Sequence, residues 1–430
     1  MSGAALAQES EPANALHLSL EEAVDRASPA ERKKAADALA SRNETLENWC
    51  AAAKSFGSYQ KIEPGVRRDN VQLWTGKASQ EYSIITYVPS AYDPSKPTPL
   101  LLALHGTAGS GNEMVEMWRS SAERGGFIVV ANTEPLAKEG YTFKSEERLA
   151  AMYTIRWARR IFNINENKIF GTGISRGGHL LWDTALRNPD LYAGIFPMIG
   201  GPWAVPSGGR ANLRYLPSIL HLPIRDLQGS KDDPGLVALL HYAFKKLKDL
   251  KAADAELIEF PELGHWFKFD AVDWVEFINS RSRNPRPGQV IVTSVGKHDS
   301  ASSFWGEILT VGKEVQEEFV TKLNPAEAAK VNAMDARTRS EWWDQQAAKH
   351  TAKLELKMVA PGEFSAKGTG VVKFRLLLTE GMFDPKKPVV VNFNGKSKNY
   401  AVKPDKKILL QNFVDRFDRT ILPIAEIRVE

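Results

Sequence analysis

Lys168-Ile169-Phe170-Gly171-Thr172-Gly173-Ile174-Ser175-Arg176-Gly177-Gly178 joins an apolar run of strand type to a helix-like continuation through Leu180, Leu181 and Trp182, with a serine at the join. A serine there sits on a sharp strand-to-helix turn. Such a turn strains the backbone and leaves little room beside the serine, which accounts for glycines two residues to either side. The turn pushes the hydroxyl into the open, and the N-terminus of the next helix adds partial positive charge at the same point. A bare five-residue pattern of this kind arises by chance in a chain with 31 glycines. The flanking strand and helix carry the inference against the alternative, a glycine-rich turn with a structural serine.

Further runs of strand type lie upstream at 82–88, 100–104 and 127–131, and a helix is predicted over 146–161. Downstream, runs follow at 191–198, from Leu222-Pro223-Ile224 onward, and at 255–260. Strands separated by helix-length pieces predict βαβ units in a doubly wound, mostly parallel α/β sheet. Sites in such sheets lie at the carboxyl ends of the strands.

A chain of 430 residues exceeds what one core usually supports. Residues 1–70 read as a helical appendage. In it Ser19 with Glu22 is expected to cap one helix, and Ser28-Pro29-Ala30-Glu31 another. Its apolar positions Ala35, Leu39, Leu46 and Trp49 must lie on some other element. The sheet domain is expected over 71–285, ending at Asn284-Pro285-Arg286-Pro287-Gly288. Residues 286–430 read as a β-rich accessory domain with a helical middle at 324–350, and Asn394-Gly395 is a turn dipeptide between strand-like segments.

Leu104-His105-Gly106-Thr107-Ala108-Gly109-Ser110-Gly111 follows a buried strand. A backbone N–H of Gly106 or Thr107 can there join that of Arg176 in gripping an oxyanion. The loop lacks the Lys-Ser or Lys-Thr pair of a phosphate cradle. A serine hydroxyl also needs a neighbour to take its proton. Of 8 histidines, His265 in Glu262-Leu263-Gly264-His265-Trp266 follows the last strand of the set, at the same sheet edge as Ser175. His105 reads as a scaffold whose ring bonds backbone, and His179 mainly as packing. The acid that orients the imidazole is expected in Gln228-Gly229-Ser230-Lys231-Asp232-Asp233-Pro234, with Asp232 preferred and Asp233 open. Serine, acid and histidine then follow in the chain order that this chemistry uses on doubly wound sheets.

Over about residues 75–282 these pieces resemble α/β-hydrolase esterases related to feruloyl esterases, polyhydroxybutyrate depolymerases and prolyl-oligopeptidase-type hydrolases. The carrying motifs are His105-Gly106, Gly173-Ile174-Ser175-Arg176-Gly177-Gly178, Gly229-Ser230-Lys231-Asp232 and Gly264-His265. The doubled Asp232-Asp233 departs from the pattern. The resemblance implies a serine hydrolase that cleaves carboxylic esters through an acyl-enzyme on Ser175, with no metal or organic cofactor. An aryl, hydroxycinnamoyl or carbohydrate-linked ester is the preferred substrate, against a wall of Trp203, Trp266 and, less directly, Trp118; Trp203 also reads as core. Arg176 either orients a polar acyl part or pairs with a neighbouring helix. Two rival functions stand: a peptidase of the prolyl-oligopeptidase type, for which the upstream residues are too few to build a propeller, and a non-catalytic carbohydrate-binding or interaction protein that keeps the fold.

Lys and Arg number 56 against 52 Asp and Glu, without a basic stripe, so nucleic acid is not an expected partner. Runs such as Lys245, Lys246, Lys248 and Lys386, Lys387 read as solvated faces. A single cysteine, Cys50, excludes an intrachain disulfide and is expected to be a buried apolar thiol. No segment reaches the roughly 18 apolar residues that span a bilayer. Ala5-Leu6-Ala7 before Gln8 resembles the end of a secretory signal, which sets export to periplasm or medium as an expectation beside a flexible Ala-rich start. No oligomeric state is assigned.

Overall fold

Three amphipathic helices, α1 (Glu11–Val24), α2 (Pro29–Ala40) and α3 (Leu46–Lys54), precede the first strand. The computed structural model describes residues 11–134, 140–205, 211–252, 254–296, 301–319, 321 and 323–430, without the side chains of 11–14. The export signal expected at Ala5-Leu6-Ala7 therefore lies outside the described residues. The Ser28 box forms as predicted: its hydroxyl accepts the Glu31 N–H at 3.2 Å, and Glu31 accepts the Ser28 N–H at 3.0 Å. Ser19 is not a cap. The apolar face of Leu16, Leu20, Ala23 and Val24 continues through it, and its hydroxyl bonds back to the Ala15 carbonyl at 2.8 Å.

Eight strands form the central sheet: β1 (Gly65–Trp74), β2 (Ser79–Val88), β3 (Thr98–Leu104), β4 (Ile128–Thr133), β5 (Ile164–Ile174), β6 (Gly194–Met198), β7 (Ile224–Gly229) and β8 (Ala255–Phe260). Their order is β1-β2-β4-β3-β5-β6-β7-β8. The strands from β3 onward run parallel, whereas β1 and β2 pair antiparallel at one edge. This is the α/β-hydrolase core. Strands buried on both faces explain the continuous apolar runs: Leu100, Leu102 and Leu104 of β3 enter one core while Leu101 and Ala103 enter the other. Helices α4 (Gly111–Gly125), α5 (Ser145–Ile161), α6 (Arg176–Arg187), α7 (Pro234–Asp249) and α8 (Trp274–Ser280) cover the sheet, with α5, α6 and α7 on one face and α4 and α8 on the other. Trp118 of α4 is fully buried, 5.9 Å from the Phe196 ring and 5.4 Å from Trp274. It is core, which corrects its assignment to a substrate wall.

The sheet takes up the chain at Gly65, so the expected division at 70 falls inside β1. Beyond α8 come β9 (Gln289–Ser294), β10 (Ser302–Ser303), β11 (Gly306–Val311), helices α9 (Pro325–Ala333) and α10 (Ala336–Lys349), then β12 (Ala352–Ala360), β13 (Glu363–Thr369), β14 (Val371–Thr379), β15 (Val389–Phe393), β16 (Lys396–Tyr400), helix α11 (Lys406–Arg416) and β17 (Pro423–Val429). These strands form a four-stranded and a five-stranded sheet around a core of their own. Asn394 and Gly395, both at positive φ, turn β15 into β16. The opening helices close on this region: Leu39, Trp49 and Phe56 share a core with Leu409, Leu410 and Phe413 of α11. Cys50 is half-buried at that core rather than fully enclosed, and burial pushes its thiol pKa up. Among the described residues, no helix is long and apolar enough to cross a membrane.

Candidate active site

Strand β5 ends at Ile174 and α6 begins at Arg176, which leaves Ser175 alone on the turn at φ 52° and ψ −111°. A non-glycine residue in that region stores backbone strain. Close packing against β3 holds it there. A Cβ on Gly173 would stand 2.2 Å from the Gly177 carbonyl oxygen, and one on Gly177 would stand 2.1 Å from that of Leu104. The two glycines thus let the start of α6 press onto the ends of β5 and β3.

At this edge three side chains form one hydrogen-bonded chain. Ser175 Oγ lies 2.9 Å from His265 Nε2, and His265 Nδ1 lies 2.8 Å from Asp232 Oδ2. A carboxylate only accepts, so the imidazole proton belongs on Nδ1 and Nε2 is left to accept from the serine hydroxyl. Asp232 is itself fixed, accepting from Gln228 Nε2 at 2.8 Å and from the Asp233 N–H at 2.7 Å. Burial opposes its charge, but these bonds and that of His265 hold its pKa below the usual carboxylate value. Asp233 instead caps α7, accepting the Leu236 N–H at 2.9 Å. The imidazole meets Asp232, not Asp233.

The Arg176 N–H opens α6 and has no acceptor within the helix. Beside it runs the loop after β3, where a Cβ on Gly106 would lie 3.7 Å from that of Ser175. Thr107 is exposed in the same loop. The His105 ring ties the loop down, with Nδ1 2.7 Å from the Gly106 carbonyl and Nε2 accepting the Glu134 N–H at 3.0 Å. The Arg176 side chain is buried and pairs with Glu147 of α5, which is the helix-pairing alternative for this residue. Arg148 of α5 likewise meets Asp183 of α6 at 3.0 Å. Among the described residues no group of three His, Cys, Asp or Glu is placed to hold a metal ion.

Glu134, behind the loop, was not anticipated from sequence. Burial, only partly offset by Arg176 and Asn132, pushes its pKa from 4.5 up to about 7. Folded chains therefore hold this proton at pH values where unfolded chains have released it. Stability on this account falls as pH rises from about 4.5 to about 7, by about 3 kcal/mol. The variant Glu134→Gln is expected to flatten that fall. Urea unfolding of both proteins at about pH 5 and about pH 8 measures it, and an equal decline in the two contradicts the assignment.

Trp266 is 66% exposed and stacks on Phe267 beside the imidazole. Trp203 is half-buried against the main core, 6.4 Å from the His179 ring and 6.1 Å from Phe143. Trp203 is thus partly core and borders α6. His179 is hydrogen-bonded as well as packed, with Nδ1 2.6 Å from the Gly201 carbonyl. Sequence reasoning missed Phe143 and Glu147, whose only signal is their place before and at the start of α5.

No protein-family model matches the chain, and no curated protein matches it in sequence. Among solved structures it is similar to a thermostable esterase at 20% identity and a TM-score of 0.39, covering 50% of this chain and 63% of that one. It is also similar to the poly(3-hydroxybutyrate) depolymerase LpqC from Bordetella parapertussis, at 14% identity and a TM-score of 0.38, over 47% of this chain and 85% of that one. A ferulic acid esterase is similar at 13% identity and a TM-score of 0.39, over 50% of this chain and 100% of its own. The chain spans less than two thirds of the thermostable esterase, and each likeness takes in about half of this chain.

Proposed function

We propose that this chain is a serine hydrolase that cleaves carboxylic esters through an acyl-enzyme on Ser175. The observation that supports this best is the unbroken contact from Ser175 to His265 to Asp232, at 2.9 and 2.8 Å, on a strained turn at the carboxyl edge of the sheet. In this reading Ser175 Oγ attacks the ester carbonyl carbon as its proton passes to His265 Nε2. The negative oxygen is met by the N–H of Arg176 and that of Gly106 or Thr107. Collapse breaks the bond to the alkoxy oxygen, which takes the proton from His265 and leaves as alcohol. Water then gives a proton to His265, attacks the acyl carbon and releases the acid, and the proton returns to Ser175. Asp232 stabilises the imidazolium in both halves. Trp203 and Trp266 border the position of an aryl, hydroxycinnamoyl or carbohydrate-linked ester.

Turnover of 4-nitrophenyl acetate and butyrate beside peptide 4-nitroanilides tests this reading. Ester cleavage faster than anilide cleavage by about a hundredfold or more is the expected result. Anilide cleavage with the esters untouched contradicts it in favour of a peptidase, and cleavage of neither contradicts any hydrolase reading.

A further inference from the structure

Ser175 stands where the parallel strands end; at the opposite edge, where β6 begins, the chain leaves α6 through Asn188 and Asp190. There α2, α5 and the end of α11 surround a cavity of about 290 Å3. None of Ser175, Asp232 and His265 lines it. Its charged lining is unbalanced. Arg32 meets Asp415 at 3.1 Å and Arg416 meets Asp190 at 2.8 Å, while Asp418 meets Arg283 at 2.7 Å. Asp418 also pairs with Arg159, at 4.0 Å, so Arg156 is the lining arginine without a carboxylate partner among the described residues; the two lie three residues apart on one face of α5.

Arg156 donates to backbone carbonyls of Val24, Val414 and Asp415. Arg159 donates through Nη1 to those of Arg416 and Phe417, closing the end of α11. Its Nε and Nη2 find no hydrogen-bond acceptor among the described residues, although the side chain is only 5% exposed and Asp418 lies 4.0 Å away. Buried donors left without acceptors are costly. Burial and the like charge of Arg32 also push the Arg156 pKa down to about 9. A negative group beside Arg156 relieves its burial cost, and Arg159, one turn further along α5, adds positive charge to the same wall. The remaining wall is mixed, with Asn188 and Ser302 on it, but its α5 side is apolar, where Leu149 and Met152 face the same space.

We propose that this cavity binds a small organic anion: a carboxylate or phosphate group held by Arg156 and Arg159, carried on an apolar body that lies against Leu149 and Met152. Calorimetric titration of the full chain with phenyl phosphate, benzoate and inorganic phosphate tests it. Phenyl phosphate or benzoate is expected to bind about tenfold or more tightly than inorganic phosphate, the better of the two identifying the headgroup. Arg159→Met is expected to weaken that binding about tenfold or more. Because Arg159 also holds α11, the variant Met152→Trp provides a second reading: it fills the apolar side and touches no guanidinium bond. It should lose binding just as strongly while keeping its circular dichroism, thermal midpoint and ester turnover. No saturable binding of any of the three anions to wild type overturns the proposal. So does undiminished affinity in Met152→Trp, which places the ligand elsewhere, including at Ser175.

Discussion

Ser175→Ala is expected to lower kcat on a nitrophenyl ester by about a millionfold, with KM changed by no more than about a few-fold. The alanine keeps the turn, the backbone N–H groups proposed to meet the oxyanion and the neighbouring aromatic residues, but it removes the atom proposed to attack. Asp232→Asn should cost about ten-thousandfold, because an amide can face Nδ1 with its NH2 group and leave the imidazole proton on Nε2, where it cannot accept from serine. Adding Asp232→Asn to Ser175→Ala should cost little more, since groups acting as one unit do not lose rate additively. Steady-state kinetics on the three variants checks this. Retention of more than about one part in a hundred of wild-type kcat by Ser175→Ala contradicts the role given to the serine.

The second large effect concerns folding. In Gly177→Ala the new methyl group would stand 2.1 Å from the Leu104 carbonyl oxygen and 2.8 Å from that of His105. Both obstacles are backbone, in a buried strand and the loop tied down by His105, so neither can swing aside as a side-chain tip would. The start of α6 must then lift off β3. A loss of about 4 kcal/mol or more is expected, large enough to leave little soluble protein. Gly288→Ala is the control, since nothing lies within 4 Å of its added Cβ. Its stability should stay within about 0.5 kcal/mol of wild type. Urea unfolding of the two variants compares them directly, and equal midpoints contradict the packing argument.

The same steric logic explains which elements could be read from sequence. Strands β3, β4 and β5 are buried on both faces, so their apolar runs are unbroken and visible. Strand β1 is an edge strand whose inward positions include Arg67 and Asp69, paired with each other at 2.6 Å, so apolar alternation disappears from its first half. Helix α11 hides for another reason: its neighbours in sequence are strands, while the residues that give it an apolar face to cover lie more than 350 positions upstream in α2 and α3. Ser175, Gly173 and Gly177 could be read because the turn imposes residue type at fixed spacing. The choice between Asp232 and Asp233 could not, since either aspartate can cap α7 and only the fold shows which one does. Glu134 left no local mark, and Glu147 only its place in the first turn of α5. Their partners sit on other elements, and a buried carboxylate looks like a surface one in sequence. Trp118 misled because a large aromatic just after the loop that follows β3 is as apt to fill the core behind the sheet as to face a substrate.

The most direct test is the intact mass of wild type and of His265→Ala after brief exposure to a fluorophosphonate, with the modified residue then located by peptide mapping. An activated serine predicts one adduct per wild-type chain, on Ser175, and almost none on the variant. Labelling of both proteins to the same extent, or of neither, contradicts a serine activated by that imidazole.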